Sequence, residues 1–114
     1  SLGFLAWHIV TTVEEFFRTA GIKLDAPSPE TETPATVAKI VEGFEKAIKS
    51  LNEGLPKHWT DENLTDEIPM YGETWTKGFT LTCFLMHAAH HRGQMTVLMR
   101  QAGLKVHGVY GPAK

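Results

Sequence analysis

The 114-residue chain has little of several features that mark specialised classes of protein. It contains one cysteine, Cys83, so an internal disulfide is impossible, and this usage is compatible with a reducing cytoplasm. No apolar run approaches the roughly 20 residues that span a bilayer. No charged start followed by an apolar segment resembles a signal peptide. We therefore expect a cytoplasmic protein with no membrane partner.

An excess of one charge is also missing. The chain has 11 Lys and Arg against 13 Asp and Glu, a net charge of -2, and its basic residues are scattered. Proteins that bind nucleic acid need a basic patch or stripe to neutralise phosphates, so we expect no nucleic-acid partner. Apolar residues make up 42% and charged residues 21%, which is typical of a globular protein. This length and composition predict a single domain over residues 1–114.

The first half of the chain predicts two helices. Residues 2–20 carry apolar side chains at helical spacing, and Ser1 can cap their start. Residues 21–33 contain two prolines and no periodicity, which predicts a loop. Thr33 followed by Pro34 predicts the N-cap and first residue of a second amphipathic helix.

The second half predicts one long helix after an irregular segment. Within the long segment 55–76, Thr60–Asn63 can form one helical turn, and Ile68–Gly72 is expected to be extended or turned. Residues 77–102 predict the longest helix, with Gly103 just beyond its end. A Gly-containing tail then follows, and we expect it to fold back over the end of the bundle.

The fold class that these patterns predict is all-α. The third helix is apolar around much of its circumference, so it needs neighbours on several sides. A fourth helix, from upstream sequence or from a partner chain, would supply one. Because Ser1 leads almost at once into a helical pattern, we expect native sequence to be missing upstream.

Two of the six histidines lie one turn apart on the third helix. His87 and His91 fall within about 40° of each other on a helical wheel, and residues at this spacing have Cβ atoms about 5–6 Å apart. Two imidazoles so placed can share one metal ion at about 2.0–2.1 Å. His90 points elsewhere and is excluded. The apolar neighbours Phe84 and Leu98 indicate that the pair faces the interior, where imidazoles need partners or a metal.

His8 is the candidate third ligand. It lies at the edge of the apolar stripe of the first helix, and alone it would be a boundary histidine satisfied by water. Together with the inward pair it completes three nitrogen ligands, a set typical of catalytic sites that keep one position open. An all-imidazole set favours Zn, Ni, Cu or Fe over Mg or Ca.

Two motifs carry a resemblance to a known family. The run His87–Gly103 (HAAHHRGQMTVLMRQAG) closely resembles the last-helix signature of the DinB/YfiT-like superfamily, in which a histidine is followed four residues later by His-Arg-Gly-Gln and then by Leu-Arg and a helix-ending Gly. The run Leu5–Val10 (LAWHIV) resembles the second-helix motif that contributes the first metal histidine. The tail segments GLKV and YGP are also similar.

The resemblance implies an up-down four-helix bundle with a metal site made of His8, His87 and His91. It also implies that the helix near Ser1 is the family's second, so the first is absent from this chain. Members of known activity are metal-dependent enzymes that use low-molecular-weight thiols, such as bacillithiol S-transferases. The implied function is a metal-dependent thiol S-transferase or a related hydrolase, with Zn or Ni as the metal.

Several neighbouring residues have two interpretations each. Arg92 can bind a substrate anion, but pairing with another helix is favoured. Gln94 can contact a metal-bound water or a ligand nitrogen, or simply fill polar space. Glu15 can be a general base or an acceptor beside His8, although an exposed helix acid is favoured. Cys83 is expected to be a small buried apolar residue rather than a fourth ligand. Gly93 is expected to let another helix approach closely.

Three functional hypotheses remain open at this stage. The first is an enzyme that acts on a small-molecule substrate through its metal. The second is a non-catalytic module in which the metal stabilises the fold and the broad apolar surface forms a homodimer. The third is that no metal binds, which predicts histidines that lie apart or point outward.

Overall fold

The computed structural model describes residues 1–108 and 111. Its regular elements, in chain order, are α1 (Leu2–Thr19), α2 (Val37–Gly54), β1 (Glu67–Met70), β2 (Glu73–Thr76) and α3 (Lys77–Gln101). Short 3₁₀ turns at Leu55–Lys57 and Asp61–Asn63 connect α2 to the strands. The all-α class and the three predicted helices are confirmed, and a two-stranded hairpin is present in addition.

Local capping chemistry sets the ends of α1. The Ser1 hydroxyl accepts a hydrogen bond from the Phe4 N–H at 3.2 Å, which satisfies one of the free donors of the first turn. At the other end Gly21 has a φ of 87°, a left-handed conformation that glycine adopts without steric cost. Both termini agree with the sequence prediction.

The predicted start of α2 was wrong by one helical turn. The N-cap is Thr36, whose hydroxyl accepts a hydrogen bond from the Lys39 N–H, and the first helical residue is Val37. Thr36 has the extended backbone of a cap, with φ of -126° and ψ of 145°. Thr33 and Pro34 therefore belong to the loop. The chain offers two Thr caps three residues apart, and the helix uses the one next to its apolar stripe.

The segment predicted to be extended or turned around residues 68–72 is part of a β-hairpin. β1 and β2 pair antiparallel, with Glu67 opposite Thr76 and Met70 opposite Glu73. The two residues between the strands, Tyr71 and Gly72, both have positive φ, at 49° and 79°. Two-residue hairpin turns of this kind match the right-handed twist of the strands. Tyrosine is unusual at the first of these positions, which is why the sequence did not predict a hairpin.

The long helix α3 ends in a Schellman motif. Gly103 has a φ of 74°, its N–H donates to the Arg100 carbonyl, and the Leu104 N–H donates to the Met99 carbonyl. The chain then turns back, and Val106 is buried. The predicted return of the tail is therefore seen as far as Val106, while Tyr110 and Pro112 lie outside the described residues.

Helix α1 is the centre of the bundle. Its side chains form the largest share of the core, and α2 and α3 pack mainly on α1 rather than on each other. Phe17, Val10 and Val13 are almost completely buried, and Met70 of the hairpin joins them. Among the residues of α3 that the structure describes, only Thr80 is fully buried. α3 therefore leaves apolar side chains exposed: Phe79, Leu85, Met86 and Val97.

An apolar cleft of about 360 Å³ lies where α2 and α3 diverge. Its floor includes Ile9 and Val10 of α1, and its walls include Phe44 of α2 and Met95 of α3. Arg92 is the charged residue at its rim. The sequence prediction that α3 needs further neighbours agrees with this open apolar surface. No helix among the described residues is both long and apolar enough to cross a membrane.

The contact between α1 and α2 depends on one glycine. A Cβ atom at Gly43 would lie 2.6 Å from Cζ3 and 2.9 Å from Cη2 of the buried Trp7 ring. The indole N–H of Trp7 donates to the Thr31 carbonyl at 3.2 Å, which holds the ring in place. We expect Gly43→Ala to lower the free energy of unfolding by about 1–3 kcal/mol through overpacking.

Gly93→Ala is the matched control for this measurement by urea unfolding. Gly93 also lies within a helix, but an added Cβ meets nothing within 4 Å among the described residues. Helix propensity alone then predicts a stabilisation of about 1 kcal/mol. Equal effects of the two substitutions would contradict close packing at Gly43.

Candidate metal centre

The antiparallel contact between α1 and α3 brings three histidines together. Phe17 of α1 packs edge to face on Phe84 of α3, with ring centroids 5.1 Å apart. His8 lies about two turns from Phe17 along α1. His87 lies about one turn from Phe84 along α3. Because the helices run in opposite directions, both steps lead the same way along the bundle. His91 follows one turn beyond His87.

The imidazole nitrogens converge on one point. His8 Nε2 lies 3.4 Å from His87 Nε2, and His91 Nε2 lies 3.1 Å from His87 Nε2. Each of the three residues offers a nitrogen within 4.8 Å of the other two. Two nitrogens that bind one tetrahedral ion at about 2.0–2.1 Å are about 3.3–3.4 Å apart. The cluster therefore has the spacing of a shared metal site, with small adjustments of the rings.

Gln94 determines which nitrogen of His91 faces the cluster. Its Oε1 lies 2.7 Å from His91 Nδ1, and an amide oxygen can only accept a hydrogen bond. With Oε1 as the acceptor, the proton of His91 lies on Nδ1 and the lone pair on Nε2, the atom that faces His87. Gln94 therefore contacts His91, and its role beside a metal stays a prediction.

Two contacts on α1 hold His8. The Phe4 ring lies one turn before His8 and stacks on it, with centroids 6.3 Å apart and planes inclined by 6°. The Thr12 hydroxyl, one turn after it, donates to the His8 carbonyl oxygen at 2.7 Å. Phe4 and Thr12 are each four residues from His8 in the sequence. The i±4 spacing was the signal that could have indicated both contacts.

Burial and mutual repulsion favour neutral imidazoles. Partial burial lowers the pKa of His8, the nearby His91 lowers it further, and the carboxylate of Glu15 opposes both effects. Partial burial also lowers the pKa of His87, and His91, His8 and His90 add to the effect. A histidine must be neutral to bind a metal, so both shifts prepare the site for a cation at neutral pH.

The other candidates lie around this cluster rather than in it. His90 is exposed and its ring packs on His91, in agreement with its exclusion as a ligand. Cys83 is half-buried against the core and is not one of the clustered ligands. Glu15 is half-buried and acts on His8 through its charge. Arg92 is exposed at the cleft rim, and no ion pair to it occurs within residues 1–108.

Gly93 and the large aromatic residues differ in their packing. No other helix approaches Gly93 in the part of the chain that the structure describes, so its expected packing role is not seen there. Trp7 and Trp59 are buried in the core. Trp75 is half-buried, while Tyr71 remains 54% exposed although its ring contacts Phe16.

Comparison with known proteins gives consistent results. A model of the DinB family matches residues 1–114. The uncharacterized protein YrdA of Bacillus subtilis (strain 168) is 38% identical over 114 residues, which are 100% of this chain and 68% of that protein. The crystal structure of a DinB-like protein from Bacillus cereus ATCC 10987 matches with a TM-score of 0.89 and 39% identity, covering 96% of this chain and 73% of that chain.

Because the three histidines converge, we expect metal binding to need each of them. We expect His8→Gln, His87→Gln and His91→Gln each to weaken zinc binding by at least roughly a hundredfold, because each removes a ligand rather than an outer hydrogen-bond partner. Titration calorimetry on metal-free protein measures the effect. His90→Gln is the control on the same helix and should bind zinc normally; a similar loss there would contradict the assignment.

The role of Gln94 can be separated from that of the ligands. Gln94→Leu removes the acceptor for the Nδ1 proton of His91, so we expect zinc affinity to fall by about 10–100-fold. Gln94→Glu keeps an oxygen acceptor at the same distance and should retain most of the affinity. If both variants lose affinity equally, the hydrogen bond is not what positions His91.

The lowered pKa values of His8 and His87 predict how the stability of the metal-free protein depends on pH. Below about pH 6.5 the unfolded chain protonates these histidines before the folded chain does. The free energy of unfolding should therefore be fully retained above that pH and decrease as the pH falls through it. Urea unfolding at about pH 7.5 and 5.5 measures the difference. The double variant with His8→Gln and His87→Gln should show a smaller difference; an unchanged one would contradict the prediction.

Proposed function

The chain belongs to the DinB family, and we propose that it is a divalent-metal-dependent enzyme that uses a low-molecular-weight thiol. The observation that supports this proposal is the set of three converging imidazoles. No fourth His, Cys, Asp or Glu joins them among the residues that the structure describes. Three protein ligands typically leave a coordination position for water or substrate, whereas structural sites are closed by a fourth ligand.

The ligand chemistry supports Zn or Ni as the metal. Imidazole nitrogens suit these ions, and the neutral state that burial favours removes competition from protons. When bound, such an ion lowers the pKa of a thiol or water ligand and so supplies a nucleophile at neutral pH. The chain itself offers one cysteine, Cys83, which lies outside the cluster, so an external thiol is the proposed source of sulfur.

The proposed reaction is transfer of the thiol sulfur to an electrophilic carbon. A sulfur–carbon bond forms, the leaving group departs with its electron pair, and the thiol loses its proton to a base. His8, His87 and His91 hold the ion, and Gln94 fixes the orientation of His91. A related hydrolase would use water in place of the thiol.

A direct assay tests this function. Metal-free protein is loaded with zinc or nickel and incubated with bacillithiol or cysteine and the generic electrophile monochlorobimane, and formation of the fluorescent thioether is followed. We expect metal-dependent turnover that is lost in His87→Gln and retained in His90→Gln. Activity that survives removal of all three histidines would refute the proposal. So would zinc-loaded protein that is inactive with every thiol tested.

A second candidate function is a non-catalytic module that the metal stabilises and that forms a homodimer. The apolar cleft and the exposed apolar residues of α3 favour it, because monomers rarely expose large contiguous apolar patches. Thermal melting with and without zinc, together with sedimentation analysis, distinguishes the enzyme from the non-catalytic module. A metal-dependent rise in melting temperature and a dimer, with no turnover, would favour the module. Turnover by a monomer would favour the enzyme.

A further inference from the structure

The apolar cleft continues into a smaller cavity between the three helices. The cleft has a volume of about 360 Å³, and the inner cavity has a volume of about 160 Å³ and is the more enclosed of the two. Ile9 of α1, Phe44 of α2 and Ala88 of α3 line both spaces. Because one residue of each helix belongs to both linings, the two spaces adjoin. We call them together the interhelical pocket.

The inner cavity is mainly apolar. Its walls include Val13 of α1, Ile48 of α2 and Phe84 of α3. Two polar residues also line it, but the Thr12 hydroxyl donates to a backbone carbonyl of α1, and His87 Nε2 faces the other two clustered histidines. An apolar cavity of about 150 Å³ stays free of water and accepts benzene. The inner cavity therefore fits an aromatic ring or the end of an alkyl chain.

The rim of the cleft carries a positive charge. Arg92 is the charged residue among those that line the cleft, and it is exposed. No carboxylate in the part of the chain that the structure describes forms an ion pair with Arg92. A guanidinium is always charged and offers its donors in a planar fork that matches a carboxylate. The interhelical pocket therefore combines an apolar interior with a cation at its opening, which is complementary to an amphipathic anion.

We propose that the interhelical pocket binds an apolar organic acid, with the carboxylate at Arg92 and the alkyl or aryl end in the inner cavity. Val41 and Phe44 of α2 line the cleft and are 47% and 43% exposed, so such a ligand would remove apolar surface of both from water. The volume of the cleft lies within the roughly 300–1,000 Å³ of small-molecule sites. This inference goes beyond the proposed metal-dependent function, because the binding needs no metal ion.

A second copy of the chain is the competing occupant of the cleft. A helix of a partner could also cover the exposed apolar side chains of α2 and α3. Two observations favour the small acid. An α-helix is about 10–12 Å across with its side chains, so it cannot enter the inner cavity of about 160 Å³. The positive charge of Arg92 is also costly to bury against an apolar helix, whereas a carboxylate pairs with it.

Calorimetric titration of the metal-free full chain with octanoate tests the inference, and octanol is the uncharged probe of the same length. We expect one octanoate to bind per chain. Ala88→Leu places a larger side chain where the two spaces adjoin. About two methylene groups of the ligand then lose their buried position, so octanoate binding should weaken roughly tenfold. Ala89→Leu is the matched control, because Ala89 is exposed on the same helix and lines neither space; it should leave octanoate binding unchanged.

Arg92→Gln tests the charge separately from the apolar walls. It should weaken octanoate binding roughly twofold to fivefold and leave octanol binding unchanged. Arg100→Gln, at an exposed position of α3 outside the cleft lining, should change the binding of neither probe.

Absence of saturable octanoate binding by the unmodified chain would overturn the inference, and so would equal binding by Ala88→Leu. An equal loss of both probes in Arg92→Gln would contradict the pairing of the carboxylate with Arg92. Sedimentation of the same samples identifies the competing occupant: a dimer that octanoate does not displace and that Ala88→Leu dissociates would place a second copy in the cleft and overturn the inference. Zinc titration of each variant reports on the metal centre independently, so a chain that binds zinc but not octanoate would leave the proposed function standing.

Discussion

The register between α1 and α3 is the constraint on which the site depends. The contact of Phe17 with Phe84 fixes how far one helix is displaced along the other. A slip of one turn would move His8 about 5.4 Å from its partners, more than the whole spread of the ligand nitrogens. The core of apolar side chains along α1 therefore does more than stabilise the bundle. It sets the distances between His8 and the pair His87 and His91, which are nearly eighty residues apart in the sequence.

The same arrangement carries a local cost. Three imidazoles partly removed from water face one another, and this burial penalises their protonated form. The lowered pKa values of His8 and His87 reflect that environment. A cation at the centre would replace the contacts among these ring nitrogens with three coordinate bonds. The cluster thus lowers the stability of the metal-free chain somewhat, and it arranges the nitrogens so that they can bind an ion.

Much of the fold could be predicted from the sequence because its signals are local. Ser1, Gly21 and Gly103 mark helix ends through short-range capping, and the spacing of His87 and His91 selects one face of α3. The start of α2 was predicted wrongly, because Thr33 and Thr36 can both act as caps. The hairpin depends on a left-handed Tyr71 that the strand pairing imposes, and no local preference indicates it. The approach of His8 to the pair is a tertiary contact, which the family resemblance rather than periodicity supplied.

Helix α2 holds none of the three clustered histidines, and it is joined to the rest mainly through its contact with α1. The chain can therefore be viewed as two parts: the α1–α3 pair, which sets the positions of the nitrogens, and α2, which packs on α1 through the close contact of Gly43 with Trp7. A shift of α2 on α1 would change the width of the cleft without altering the spacing of the imidazoles, so the shape of the cleft and the geometry of the histidines can vary independently.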